Sequence, residues 1–219
     1  MKQRSLRRTQ RGFTLVEIAV VLVIIGLLLG GVLKGQELIN SAKVKSLVQE
    51  FNSVSTMVYG YQDRFRFLPG DDPQVAAHVG GTPATTPANS TGNSRIDGAW
   101  NSSTSTDESF LFWQHVRLAG LASGSTVVAD ANYRELNVEN GPIGVSSQNP
   151  TSNGAAFPGQ FYICSGGLST RFARQIDTTM DDGVTNTGAV RTLQADGTFI
   201  NLTAANEGDG NFYTVCAAY

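Results

Sequence analysis

"RRTQRGFTLVEIAVVLVIIGLLLGGVL", residues Arg7 to Leu33, decides how the rest of the chain is read. Basic residues crowd its start and a glycine follows. The 21 residues from Phe13 to Leu33 then carry a single charge, Glu17. At about 1.5 Å per residue a helix of that length covers the roughly 30 Å hydrocarbon core of a bilayer. An ionisable side chain inside such a segment costs roughly 2.5–3.5 kcal/mol at the centre on insertion-based scales, and less near an end. Glu17 therefore needs a compensating partner.

Charge is segregated along the 219 residues. Lys2, Arg4, Arg7, Arg8 and Arg11 are five of the chain's 16 basic residues, which leaves 11 against 18 acids and a net charge of −7 for the remainder. An acidic body lacks the basic face that phosphate contacts require, so nucleic-acid binding is not expected. The basic start places the leader on the cytoplasmic side of a membrane and sends the rest of the chain outward, which in a bacterium means the periplasm or the cell surface. An ordinary secretory signal would show a 7–15-residue apolar stretch with a small-x-small cleavage site behind it. Here the apolar run is longer, and Gly12 precedes it.

Cys164 and Cys216 lie in the exported part at a spacing that matches no CxxC metal or redox motif. An oxidising compartment favours one structural disulfide between them, with two buried thiols as the alternative.

Beyond the apolar run, Val44, Leu47, Phe51, Val54, Val58, Tyr61, Phe65 and Leu68 alternate at spacings of three and four, with Lys45, Gln49, Glu50, Gln62 and Asp63 off the stripe. No proline interrupts residues 13–68, so one helix of about 55 residues is expected, apolar all round at first and amphipathic afterwards. It stops at "LPGDDP". Asp72 and Pro73 predict a short helix near Gln74–His78, residues 80–107 read as a long polar surface loop, and Ser105 with Glu108 has capping-box spacing for a helix from Thr106 to Leu118 whose inward residues are Phe110, Trp113 and Val116. Short β-rich pieces follow at 160–164, 189–193, 198–202 and 212–216, a small antiparallel sheet. The fold class is α+β: a basic leader at 1–12, a transmembrane helix at 13–33, its amphipathic continuation at 34–68, and an exported domain at 69–219.

"RGFTLVEIAVVLVIIGLLLG" resembles the class III signal of type IV prepilins and of type II secretion pseudopilins: a basic leader, Gly12, Phe13, a glutamate at the fifth mature position, and an apolar helix. The long helix with a C-terminal sheet and a cysteine pair is similar to that family's architecture. The resemblance implies that a prepilin peptidase cuts between Gly12 and Phe13 and methylates the new amine of Phe13. Gly12, lacking a Cβ, suits a backbone grip at the cut. It implies, too, that Glu17 is an assembly residue, compensated by the cationic amine of its own Phe13 or of the next subunit. The implied partners are other pilin subunits and an inner-membrane assembly platform; the implied location is the bacterial inner membrane as a single pass, then a filament. In many type IV pilins a glycine at the position of Gly26 opens a helix segment that loosens and a later proline closes it. Here Lys34 stands at that later position, and Gly26, Gly30 and Gly31 read equally as small residues for close packing.

No nucleotide loop, serine elbow or His/Cys cluster is present, so an enzyme is not expected. His78 and His115 read as isolated histidines, and Trp100 and Trp113 as core or anchor residues. Asp177, Asp181 and Asp182, with Glu207 and Asp209 further on, make the C-terminal region acidic. They are candidates for Ca²⁺, but their spacing matches no EF-hand, so a solvated acidic turn is the expected state and no other cofactor is implied. Filament subunit is the reading preferred here. Its rival is a monomeric, membrane-tethered periplasmic binding domain.

Overall fold

The computed structural model describes residue 12 and residues 14–219. The leader through Arg11, and Phe13, lie outside the described residues. Two compact units are present, Met1–Ala42 and Lys43–Tyr219.

In the first unit every apolar side chain from Leu15 to Leu33 is exposed. Lys34 follows directly and pairs with Glu37 at 2.8 Å. Helix α1, Leu15–Phe65, runs without a break through Gly26, Gly30 and Gly31.

The second unit is built on the amphipathic half of that helix. The expected stripe is the buried face: Val44, Leu47, Phe51, Val54, Val58 and Tyr61. The helix closes at Phe65, because Arg66 enters the left-handed region at φ +66° and Leu68 precedes a proline. Leu68 is therefore buried from outside the helix rather than on it. A short helix α2 (Val75–His78) and helix α3 (Glu108–Leu118) follow. Asp72 does accept the amide of Gln74 at 2.8 Å, as a turn-forming aspartate should. The expected Ser105 cap is not made. Helix α3 starts after Asp107, and the Glu108 carboxylate is spent elsewhere, on Ser90 and the amide of Asp97.

Four antiparallel strands form one sheet in the order β1-β2-β4-β3: β1 Ile143–Ser146, β2 Tyr162–Ser169, β3 Val190–Leu193 and β4 Phe212–Ala218. Helix α4, Thr170–Met180, leaves β2 directly and packs back on the sheet. One core joins residues 44–58 of α1, Phe112 and Trp113 of α3, and Phe172, Ala173 and Ile176 of α4 to Val145, Ile163 and Val215 of the sheet. A smaller cluster of Phe157, Tyr162 and Leu193 surrounds the cysteines, with Trp100 against it.

Three of the four expected strand segments are strands. The fourth, residues 198–202, makes only a bridge from Phe199 to Leu193 and a bond from the Ile200 amide to Thr192. The fourth strand is instead β1, at the opposite edge against β2, where Gly144 interrupts an otherwise β-favouring Ile143 and Val145.

Between α2 and α3 the chain has no regular element, as its composition implies, yet it is firmly held. Ile96 is wholly buried, and the Asp71 carboxylate accepts the amides of Gly92, Asn93 and Ser94.

Candidate functional site

The N-terminal site begins at Gly12, which is exposed; among the described residues beyond its chain neighbours, nothing lies within 4 Å of where a Cβ would stand. The proposed cut and methylation fall on Phe13, which lies outside the described residues.

Thr14 and Glu17 are joined reciprocally. Glu17 Oε2 accepts the amide and the hydroxyl of Thr14, both at 2.8 Å, while the Glu17 amide donates to Thr14 Oγ1 at 3.3 Å. Thr14 precedes the first residue of α1 and Glu17 is the third residue inside it, the arrangement of a capping box. The amides of a helix start have no partner within the helix, so the pair satisfies donors that hydrocarbon would leave bare. The T-x-x-E spacing was legible in the sequence and signals this cap. The negative charge of Glu17 also sits favourably at the positive end of the helix dipole.

The two cysteines are a disulfide-bonded, directly opposed pair of β2 and β4, both fully buried. The bond ties the C-terminal strand to the middle of the sheet.

The expected solvated acidic turn holds for the exposed Asp182 and not for the buried Asp177, with Asp181 half-buried between them. Asp177 sits on the buried face of α4, while Asp181 and Asp182 follow the helix and cap backbone: Asp181 accepts the amides of Ala189 and Val190 at 2.6 and 3.0 Å, and Asp182 accepts the amide of Val184 at 2.8 Å. Burial, then the nearby charges of Asp182 and Asp181, push the Asp177 carboxyl up to about 6. Among the described residues no group of three or more His, Cys, Asp or Glu side chains is placed to hold a metal ion.

His78 and His115 converge on "LPGDD". His115 is wholly buried, accepts the Gly70 amide at 2.8 Å through Nδ1, and meets the carbonyl of Thr82 at 2.9 Å through Nε2, which assigns it the neutral Nε2–H form. Burial holds its pKa below the usual histidine range. Asp72 accepts the hydroxyl of Tyr61 at 2.8 Å and contacts His78 Nδ1 at 2.7 Å. Trp113 is 5 % exposed and Trp100 half-buried, so both are packing residues.

A glycine after a basic leader, a capped glutamate and an exposed apolar helix of membrane length are the features of a prepilin-like N-terminus. Residues 7–33 match the family model described as the prokaryotic N-terminal methylation motif, and this supports a type IV prepilin-like family. No curated protein and no solved structure matches the chain.

Proposed function

We propose that this chain is a prepilin. A prepilin peptidase removes residues 1–12 and methylates the amine of Phe13. The exported domain lies beyond the inner membrane, and an assembly platform polymerises the mature protein into a type IV pilus or a type II secretion pseudopilus. The observation that carries this reading is the exposed apolar run Leu15–Leu33 with one carboxylate, Glu17, at its start.

Apolar side chains gain nothing from leaving lipid for one another by the hydrophobic effect alone. Association of such helices rests instead on close packing and on polar groups that find partners. Gly26, Gly30 and Gly31 permit close approach. Glu17 supplies the polar group, and the cationic amine at Phe13 of the same or the next subunit is its complement.

Intact-mass and N-terminal analysis of protein taken from membranes tests the reading. Loss of residues 1–12 with one added methyl group on Phe13 is the expected result. A mature terminus beyond Leu33 would overturn it. Recovery in sheared filaments distinguishes a subunit from a tethered monomer.

A further inference from the structure

A groove of about 320 Å³ opens on the Lys43–Tyr219 unit between α1 and the segment around residues 121–136. Its walls are apolar in part, from Val54, Met57, Trp113 and Leu136, and it holds two carboxylates, Glu50 and Glu135. Glu135 is already neutralised by Arg117, at 2.6 Å. Glu50 is not. Its Oε1 accepts the Val138 amide at 3.1 Å, while its Oε2 is buried with no hydrogen-bond partner. A half-buried charge of this kind is stabilised by a cation, and an apolar wall beside it suits the aliphatic stem that carries one.

We infer that the Glu50 groove is a socket for the Lys45 side chain of a second copy of this chain. The inference rests on the proposed polymerisation. Subunits inserted in the same membrane with the same topology present their helices parallel, and an open helical array of identical subunits needs two different, complementary patches on each copy. Lys45 is exposed and has no ion pair or hydrogen bond among the described residues. Five residues separate it from Glu50, about 7.5 Å along the axis and ~140° around the helix. The two charges therefore face nearly opposite flanks of one helix, as successive copies require. A neighbour displaced by about that rise brings its lysine level with this glutamate. Arg171 of α4 is a second exposed cation without a partner among the described residues, but Lys45 is the one that shares α1 with Glu50, so a shift along parallel helices brings it level with that glutamate.

Charge exchange in the full-length chain, expressed in a pilus-assembling host, tests the inference. Filaments from the unsubstituted chain come first, and their absence would sink the polymerisation reading itself. Given filaments, Lys45→Glu and Glu50→Lys are each expected to lower the sheared fraction at least fivefold, and the double exchange to restore most of it. Glu50→Gln, which keeps an acceptor for Val138, guards against misfolding and should resemble Lys45→Glu. Wild-type yield from Lys45→Glu or from Glu50→Gln, or a double variant no better than the poorer single one, would overturn the socket while leaving polymerisation standing.

Discussion

Glu17 Oε2 accepts both the amide and the hydroxyl of Thr14, each at 2.8 Å. Within a single chain the glutamate thus has a local partner before any second subunit arrives, which explains how an ionisable group is tolerated at the edge of an apolar helix. The structure shows one role for this carboxylate, capping acceptor in the lone chain, and the proposed polymerisation adds a second, counter-charge in an assembly. They separate by substitution. Glu17→Gln keeps the acceptor and removes the charge; Glu17→Ala removes both. Both variants should insert in the membrane and be cleaved. If the charge serves assembly, both lose filaments, because an unpaired amine in a low-dielectric core costs roughly 3–5 kcal/mol. Filaments at wild-type level from Glu17→Gln would reduce the glutamate to a cap. Thr14→Ala, by contrast, should weaken the helix start by about 1 kcal/mol and leave assembly largely intact.

Gly12→Leu is expected to trap the full-length precursor. A branched side chain would fill the open space beside the backbone at Gly12, while the leader and apolar helix are untouched. Immunoblots of membranes should show one band at the precursor mass, and a mature band of wild-type intensity would remove Gly12 from the processing site.

The long helix was legible because its two signals are strong and local: an apolar run of membrane length with Glu17 as its single charge, and a strict alternation of three and four from Val44 onward. The capping pair Thr14–Glu17 was not among the expectations drawn from the sequence, where the Phe13 amine stood as the partner of Glu17, although the T-x-x-E spacing signals it. Helix α4 was obscured because its face is apolar only at Phe172, Ala173, Ile176 and Met180, with Asp177 buried among them, and three threonines dilute the helical signal. Edge strand β1 offers two glycine-flanked residues and owes its place to pairing with β2, a contact from another part of the chain. The half-burial of Glu50 was not legible, because its position off the apolar stripe says nothing of the Val138 segment whose amide it accepts.

The disulfide closes a loop across 52 residues, and chain-entropy reasoning values such a closure at roughly 4 kcal/mol. Replacing Cys164 and Cys216 together by Ala should lower stability by roughly 2–5 kcal/mol. Because both sulfurs are buried in the native domain, alkylating reagent should label neither cysteine in the oxidised protein and both after reduction under denaturing conditions. Labelling of the native oxidised protein would contradict the bond.

Gly70 stands at φ +97°, and a Cβ there would collide with the carbonyl of Glu108 at the start of α3. Gly70→Ala should cost at least about 1–3 kcal/mol from backbone strain alone, with more from displacing α3. Its amide also anchors His115, so thermal melts of the full chain in detergent should show a lower midpoint. An unchanged midpoint would mean that the turn relaxes without consequence.

Stability should fall as pH rises through neutrality, and Glu108 should be the main reason. Its side chain is fully buried. Burial pushes its carboxyl up to about 7, against the opposing hydrogen bonds from Ser90 and the Asp97 amide, and the charges of Asp71 and Asp97 add to the rise. A carboxyl raised in the folded state binds its proton there when the unfolded chain has already lost it, so the contribution to stability is present at low pH and is lost as pH climbs from about 4.5 towards the folded value. Burial also raises Glu50 and Asp177, each to about 6. His115 acts in the opposite sense. Its folded value is lowered, so charging it in the unfolded chain costs stability only below about 6.5, and its influence has ended above that. Between pH 6.5 and 8 the histidine is silent and Glu108 is still losing its proton. Denaturant midpoints measured in that window should decline, and Glu108→Gln, a neutral group of the same shape, should flatten the decline. A wild-type curve that is level or rising across it would show that the Ser90 and Asp97 hydrogen bonds outweigh burial and keep Glu108 ionised.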